Sequence, residues 1–267
     1  MLSSTIIYRL GQSLADIQAL KGALAQSPSG STYRNFVLPE LYEVLQREEV
    51  AQLFEFGDPD RRCISERLKF CEAVLEIAYW DVDSGGNSRL ARWVERSLGA
   101  IIETNPDKIQ ALALLGRSWL LKSQQYLSRI SDDGSNSSSS GGSFPFTNTD
   151  WTNADEDRDV AEQDRRRQEG VYVDARTCLM PAVDFLGRAV DVMEVTGRIG
   201  GRGGAIYVLQ AEANMSFGNV AVSSEAQFYF RTAVEALKKA SLIDGFILPG
   251  HLERYLRSFE FVLYDRM

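Results

Sequence analysis

Apolar residues recur at intervals of three and four along almost the whole chain, and this spacing predicts helices. In the first hundred residues, four predicted helices are separated by turns of small and polar residues at 27–30, 57–60 and 84–87. Their apolar stripes carry Leu14, Ile17, Leu20 and Leu24; Leu41, Val44, Leu45 and Leu53; Leu68, Cys71, Leu75 and Ala78; and Leu90, Trp93, Val94, Leu98 and Ile101. Because no alternating apolar pattern is bounded by hairpin turns, we predict an all-α fold.

One segment, at about 131–170, departs from the helical pattern. Its first half is dominated by serine and glycine, and has too little apolar surface to offset the entropy cost of ordering. An acidic patch at 155–159 and the basic triplet Arg165–Arg167 follow. We therefore predict a disordered low-complexity insertion, whose second half is compatible with a solvated helix. It interrupts the second of two predicted regions, an N-terminal helical region over 1–104 and a repeat region over 105–267.

A helical-repeat motif begins after Asn105-Pro106-Asp107. Leu112, the pair Leu115-Gly116 and Trp119 follow at the offsets found in the first helix of a tetratricopeptide repeat. The second helix of such a repeat carries small, large and small residues at offsets of four and three. Two segments match this pattern: Ala182, Leu186 and Ala189, then Ala226, Phe230 and Ala233. The chain thus resembles the tetratricopeptide-repeat (TPR-like) superfamily.

This resemblance implies antiparallel helical hairpins stacked as an α-solenoid. One repeat would span 107–195, with the insertion between its helices, and another 203–241. The segment 249–263 is then expected to be a C-terminal capping helix. The same order of parts is similar to the fungal enhancer-of-translation-termination family of nuclear helical-repeat proteins, over the short stretches Gly218-Asn219, Glu225-Ala226 and Lys238-Lys239-Ala240. The alternative is a non-repeat helical bundle in which small residues only allow close packing.

The side chains that most catalytic and metal sites need are scarce. The sequence has one histidine, His251, which argues against most histidine-ligated metals and Ser-His or Cys-His pairs. We expect it at the surface near a helix start, and we expect Cys71 in the core. The stretch 81–86 resembles the start of a calcium loop, but Gly85 and Arg92 stand where the fifth and twelfth positions require oxygen ligands. We therefore predict no enzyme activity, no metal and no cofactor.

The first helices of stacked repeats line a concave face, which is the predicted binding site. The groove positions are Gln110, Ala113, Arg117, Leu120 and Leu121 on the first repeat, with Val208, Glu212 and Met215 on the second. Arg117 is suited to an acidic side chain, and the second set is partly apolar. The expected partner is a protein that presents an acidic or apolar helix or extended segment. A chaperone-type carboxylate clamp is not expected, because Ala113 and Arg117 replace its lysine and asparagine.

The run from Gly197 to Gly204 holds two further candidates, Arg198 and Arg202, for contact with a phosphate or an acidic partner. The run lacks the Lys-Ser/Thr pair and the preceding strand of a phosphate loop. A flexible connection between repeats, with glycines that end a helix, is the alternative.

The sequence therefore predicts a non-enzymatic adaptor or scaffold. One alternative is an RNA- or ribonucleoprotein-associated factor that uses Arg165–Arg167 and the arginine-glycine run, and another is an enzyme with an unrecognised site. A net charge of −8, from 37 acidic and 29 basic residues, disfavours nonspecific binding to nucleic acid. No segment has the apolar length of a membrane span, so we expect no membrane partner and a cytoplasmic or nuclear location.

Overall fold

A computed structural model describes residues 4–26, 30–55, 61–136, 161–162, 164–197 and 202–263. Within these ranges the regular structure is entirely helical, which confirms the predicted all-α class. The chain divides into two compact units, the first formed by Met1–Asp81 and Gly86–Leu114 and the second by Val82–Gly85 and Leu115–Met267. The division falls within one long helix rather than after residue 104.

The first unit is built mainly from six helices and the start of a seventh. They are α1 (Ser4–Gln26), α2 (Gly30–Thr32), a π-helical turn (Tyr33–Val37), α3 (Leu38–Gln46), α4 (Glu48–Glu55), α5 (Arg61–Ala78), α6 (Ser88–Thr104) and α7 (Ile109–Asn136). The second predicted helix is thus two helices, because the backbone of Arg47 is extended. Arg47 Nη1 donates to Ser13 Oγ at 3.1 Å and Asp16 Oδ2 at 2.6 Å. The break therefore ties the α3–α4 corner to α1.

α5 is the central helix of the first unit and packs against α1, α4 and α6. Its fully buried side chains cover more than one face of the helix: Leu68, Phe70, Cys71, Val74, Leu75, Ile77 and Ala78. Arg67 is also buried, with 8% of its surface exposed, and its Nε donates to the Leu53 carbonyl at 2.6 Å. That bond partly compensates the cost of burying a charged group.

The turn between α5 and α6 requires glycine. Gly86 has a φ of 66°, and a Cβ at this position would lie 2.5 Å from the Ala78 carbonyl oxygen. Asn87 then caps α6, since its side-chain oxygen accepts from the Arg89 and Leu90 backbone N–H groups at 3.1 Å. The calcium-loop-like stretch is therefore a helix-to-helix turn.

The second unit contains most of α7, then α8 (Gly170–Thr196), α9 (Gly203–Val220), α10 (Ser223–Ser241), α11 (Gly250–Phe259) and a 3₁₀ turn (Glu260–Leu263). α9 packs against both α8 and α10, and α11 packs on α10. The predicted C-terminal helix over 249–263 is confirmed as a helix.

Glycines set the closest approaches between neighbouring helices in this unit. A Cβ on Gly116 of α7 would lie 2.6 Å from Leu186 Cγ of α8, and one on Gly218 of α9 would lie 3.0 Å from the Phe230 ring of α10. In both pairs the large residue is the central member of the predicted small, large, small pattern. Gly116 lies near the start of its helix and Gly218 near the end of its own, so the two approaches occur at different heights.

Both ends of the predicted insertion carry described structure. α7 continues to Asn136, and Asp164 is fixed at the other end. Asp164 Oδ1 accepts from Ser223 N, Ser223 Oγ and Arg167 Nη1 at 3.0, 2.9 and 3.0 Å. Arg176 Nη1 donates to the Arg167 and Val220 carbonyls at 2.7 Å. These contacts anchor the end of the insertion to the turn between α9 and α10; the prediction of disorder for 137–160 lies outside the described residues.

Candidate partner-binding face

Three helices of the second unit carry charged side chains that interact electrostatically. Arg117 lies on α7 directly after Gly116, Glu212 lies near the centre of α9, and His251 is the second residue of α11. The Arg117 guanidinium and the His251 imidazole both act electrostatically on the Glu212 carboxylate. We call these three residues, together with Leu121 on α7 and Val208 and Met215 on α9, the α7–α9–α11 face.

The Glu212 carboxylate is held in an unfavourable environment for its charge. Burial raises the pKa of Glu212 above its ordinary value, and the positive charges of His251 and Arg117 offset this only in part. A partner group that donates a hydrogen bond to this carboxylate would relieve the cost. The centre of the face is thus suited to a polar contact.

Half-buried apolar side chains flank that centre. Val208 and Met215 lie four residues before and three residues after Glu212, so all three share one side of α9. Leu121 lies four residues after Arg117 on α7 and is also half-buried. The arrangement is a charged centre with apolar neighbours, which can receive a segment that has apolar side chains on either side of a polar one.

Some predicted groove residues do not reach the surface. Ala113 and Leu120 are only 7% and 5% exposed, and therefore pack in the core instead of lining a groove. The reason is that every residue from 111 to 116 is buried, so α7 has no solvent-facing side at that level. Gln110 is half-buried but belongs to the first unit. The candidate face is narrower than the predicted groove.

In the described part of the arginine-glycine run (197–204), the glycines have structural roles. Gly197 ends α8 in the left-handed conformation, with a φ of 62°. Gly204, at the start of α9, is covered so closely by the Phe246 ring that a Cβ would overlap it. Arg202 is exposed and directly precedes α9, whereas Arg198 lies outside the described residues. The helix-ending glycine confirms one part of the connection predicted between repeats.

Sequence reasoning missed the electrostatic effect of His251 on Glu212. It correctly placed His251 at a helix start, but the effect joins two helices whose residues are distant in sequence, and no local pattern encodes it. The sequence signal that could have indicated this effect is the order of the helices along the chain. If α11 begins a third, incomplete hairpin, its side chains fall on the same face as those of α7 and α9.

Metal and thiol chemistry finds little support in the described part of the chain. No group of three or more His, Cys, Asp or Glu side chains there is placed to hold a metal ion. Cys63, Cys71 and Cys178 are buried and form no disulfide. Burial raises the pKa of the Cys71 thiol far above its ordinary value, so it stays protonated and unreactive.

Comparisons with known proteins add no assignment. The chain matches no protein-family model, no curated protein and no solved structure. Over the same described residues, no helix combines the length and apolar character needed to cross a membrane. A functional proposal therefore depends on the geometry of the α7–α9–α11 face.

Proposed function

We propose that the second unit is a TPR-like stack of helical hairpins and that the protein is a non-enzymatic adaptor, acting in the cytoplasm or nucleus. The observation that carries the proposal is that two charges on other helices, Arg117 on α7 and His251 on α11, both act electrostatically on Glu212 of α9. In a stack of antiparallel hairpins, the first helix of each hairpin lines one continuous face. α7, α9 and α11 occupy those alternate places in chain order.

The packing within each hairpin supports a repeat. A glycine of the first helix meets the large central residue of the second helix in both cases, as Gly116 with Leu186 and as Gly218 with Phe230. Small residues at such points let helix backbones approach closely. Because the two contacts occur at different heights along their helices, the hairpins are divergent copies.

The chemistry of the face defines the partner. A helix or extended segment would place apolar side chains against Val208, Met215 and Leu121. A polar side chain between them would donate to Glu212 and accept from Arg117, as a glutamine or an asparagine can. This partner satisfies the half-buried carboxylate and covers the apolar flanks in a single docking event.

The structure offers less support for the RNA alternative. Two arginines of the basic triplet are engaged with carboxylates: Arg166 with Glu162 at 2.8 Å and Arg167 with Asp164 at 3.0 Å. Pairing with acids reduces the positive charge available to a phosphate backbone. We therefore retain protein binding as the proposed function.

Affinity capture with matched variants of the full chain tests this proposal. Val208→Glu and Met215→Glu together place two charges among the apolar flanks of the face. Thr177→Glu and Met180→Glu place the same charges on the exposed side of α8 and form the control. Circular dichroism establishes that both double variants remain helical.

The adaptor proposal expects proteins that the wild-type chain and the α8 control both enrich, and that the face variant loses. Quantitative mass spectrometry of the captured material measures this. Recovery of the same proteins with the face variant, or of no protein above an unrelated bait, would contradict the proposal.

A further inference from the structure

A second polar surface lies in the first unit, on α6. Arg89, Arg92 and Arg96 border an open surface depression of about 640 Å³, together with Glu95. Sites for small ligands and short segments typically have volumes of about 300–1,000 Å³. The three arginines follow each other at intervals of three and four residues, so they form one row along the helix.

The row has no carboxylate partner within the described part of the chain. Arg89 lies over the Tyr42 ring, 4.6 Å from its centroid. Arg92 and Arg96 each donate through Nε to a carbonyl of their own helix, at 3.2 and 3.3 Å. Other surface arginines, such as Arg231 and Arg257, pair with a glutamate of the same helix. Three arginines on one side of α6 thus have no such pair in this part of the chain.

The position of the row does not favour helix stability. Arg89 lies in the first turn of α6, where the helix dipole disfavours positive charge, and that turn contains no acidic residue. The chain as a whole has an excess of acidic residues. The helix dipole therefore gives Arg89 no stabilising role in α6.

The shape of the row selects the kind of ligand. Arg89 and Arg96 are separated by about 10 Å along the axis of α6, since a helix rises about 1.5 Å per residue. An extended peptide covers this distance with about three residues, because a strand rises about 3.3 Å per residue. The net charge of −8 opposes the approach of a long polyanion, which favours a short ligand.

We propose that Arg89, Arg92 and Arg96 bind a short acidic segment of a partner protein in extended conformation. Each guanidinium binds a carboxylate of that segment through two parallel hydrogen bonds, a geometry that arginine provides and lysine does not. This surface is independent of the α7–α9–α11 face, since all three arginines belong to the first unit.

Fluorescence anisotropy with the full chain and a labelled hexaglutamate peptide tests the proposal. The variant is Arg89→Ala, Arg92→Ala and Arg96→Ala combined. The control removes the same charge from surface arginines of the second unit, as Arg188→Ala, Arg231→Ala and Arg257→Ala combined. A third protein carries lysine at the three α6 positions, which keeps both charge and helix.

We expect the α6 alanine variant to bind the peptide at least ~10-fold more weakly than wild type, and the control to stay within ~2-fold. The lysine variant should fall between them, because it keeps the charge and loses the paired hydrogen bonds. Equal weakening in the α6 variant and the control would overturn the proposal, and so would full binding by the lysine variant. Tighter binding of an oligothymidine of matched length would assign the row to nucleic acid and also overturn it.

Discussion

The contact between Gly116 and Leu186 makes a sharp prediction for the smallest substitution, Gly116→Ala. A Cβ at this position would lie 2.6 Å from Leu186 Cγ and 3.2 Å from the Leu186 backbone nitrogen. Because a backbone atom cannot rotate away, α7 and α8 must separate. Such overpacking costs about 1–3 kcal/mol, whereas alanine gains about 1 kcal/mol over glycine in a helix. We expect a net loss of about 0–2 kcal/mol.

Gly187, the next residue on α8, provides the matched control. A Cβ there would meet nothing within 4 Å, so Gly187→Ala should stabilise the protein by up to about 1 kcal/mol. The two glycine substitutions should thus differ by about 1–3 kcal/mol. In a Leu186→Ala background the overlap with Cγ disappears and only the 3.2 Å approach to the backbone nitrogen remains, so Gly116→Ala should cost less there than in wild type. A double-mutant cycle measures this difference as a coupling energy.

Urea unfolding, followed by far-UV circular dichroism, gives the free energies of unfolding for this cycle. Hydrogen exchange in peptides from α7 and α8 assigns the change to the second unit. If Gly116→Ala is as stabilising as Gly187→Ala, or if its effect is the same with and without the Leu186 side chain, the proposed close approach is wrong.

Three features give further predictions: the hydrogen bonds of Asp164 at the end of the insertion, Glu212 on the α7–α9–α11 face, and the buried Arg67. Burial raises the pKa of Asp164, but the stronger effect of its hydrogen-bond donors holds it below the ordinary value. Its contribution to stability is then present at neutral pH and lost as the pH falls through that lowered pKa, and Asp164→Asn should speed hydrogen exchange in 164–176 at pH 7. The pKa of Glu212 is shifted in the opposite direction, because burial raises it, and the ionised carboxylate therefore destabilises the fold at neutral pH. Glu212→Gln should increase the free energy of unfolding at pH 7 and leave it unchanged at pH values below the ordinary glutamate pKa. Arg67→Met should destabilise the first unit by about 1–3 kcal/mol, because the buried Leu53 carbonyl loses its donor. Lys69→Met, on the exposed side of α5, should change stability by no more than about 0.5 kcal/mol. Each argument has a result that would contradict it: unchanged exchange in Asp164→Asn, an unchanged pH profile of stability in Glu212→Gln, or equal effects of the two α5 substitutions.

The sequence was sufficient to predict the helices and their buried sides. The stripe through Leu68, Cys71, Leu75 and Ala78 is buried as predicted, because a 3.6-residue period directly encodes which side of a helix faces the core. The break at Arg47 was not predicted, since its cause is a side chain that reaches α1, a contact distant in sequence.

The predicted site was less accurate than the predicted helices, for the same physical reason. Helical offsets predicted Val208, Glu212 and Met215 on one side of α9, and all three are half-buried there. The same offsets put Ala113 and Leu120 in a groove, although neighbouring elements bury α7 at that level. Whether a helix is buried on all sides depends on how many other elements surround it. The sequence of that helix gives only indirect evidence of their number.

The anchor at Asp164 shows the limit of composition as evidence. The segment 131–170 was predicted from its polar composition as a disordered insertion whose second half could form a solvated helix. Its described end is held by hydrogen bonds to Ser223, which is remote in sequence. Such polar contacts leave no apolar pattern for sequence reasoning to detect.

Site-specific photo-crosslinking in cells tests the central claim most directly. A photoreactive amino acid is placed at Met215, on the α7–α9–α11 face, and in a separate protein at Met180, which is exposed on α8. If the face is a docking surface, irradiation should give a discrete crosslinked protein from position 215 and none from position 180, and Val208→Glu should abolish it. A crosslink from position 180 alone, or one from position 215 that survives Val208→Glu, would contradict a partner docked on this face.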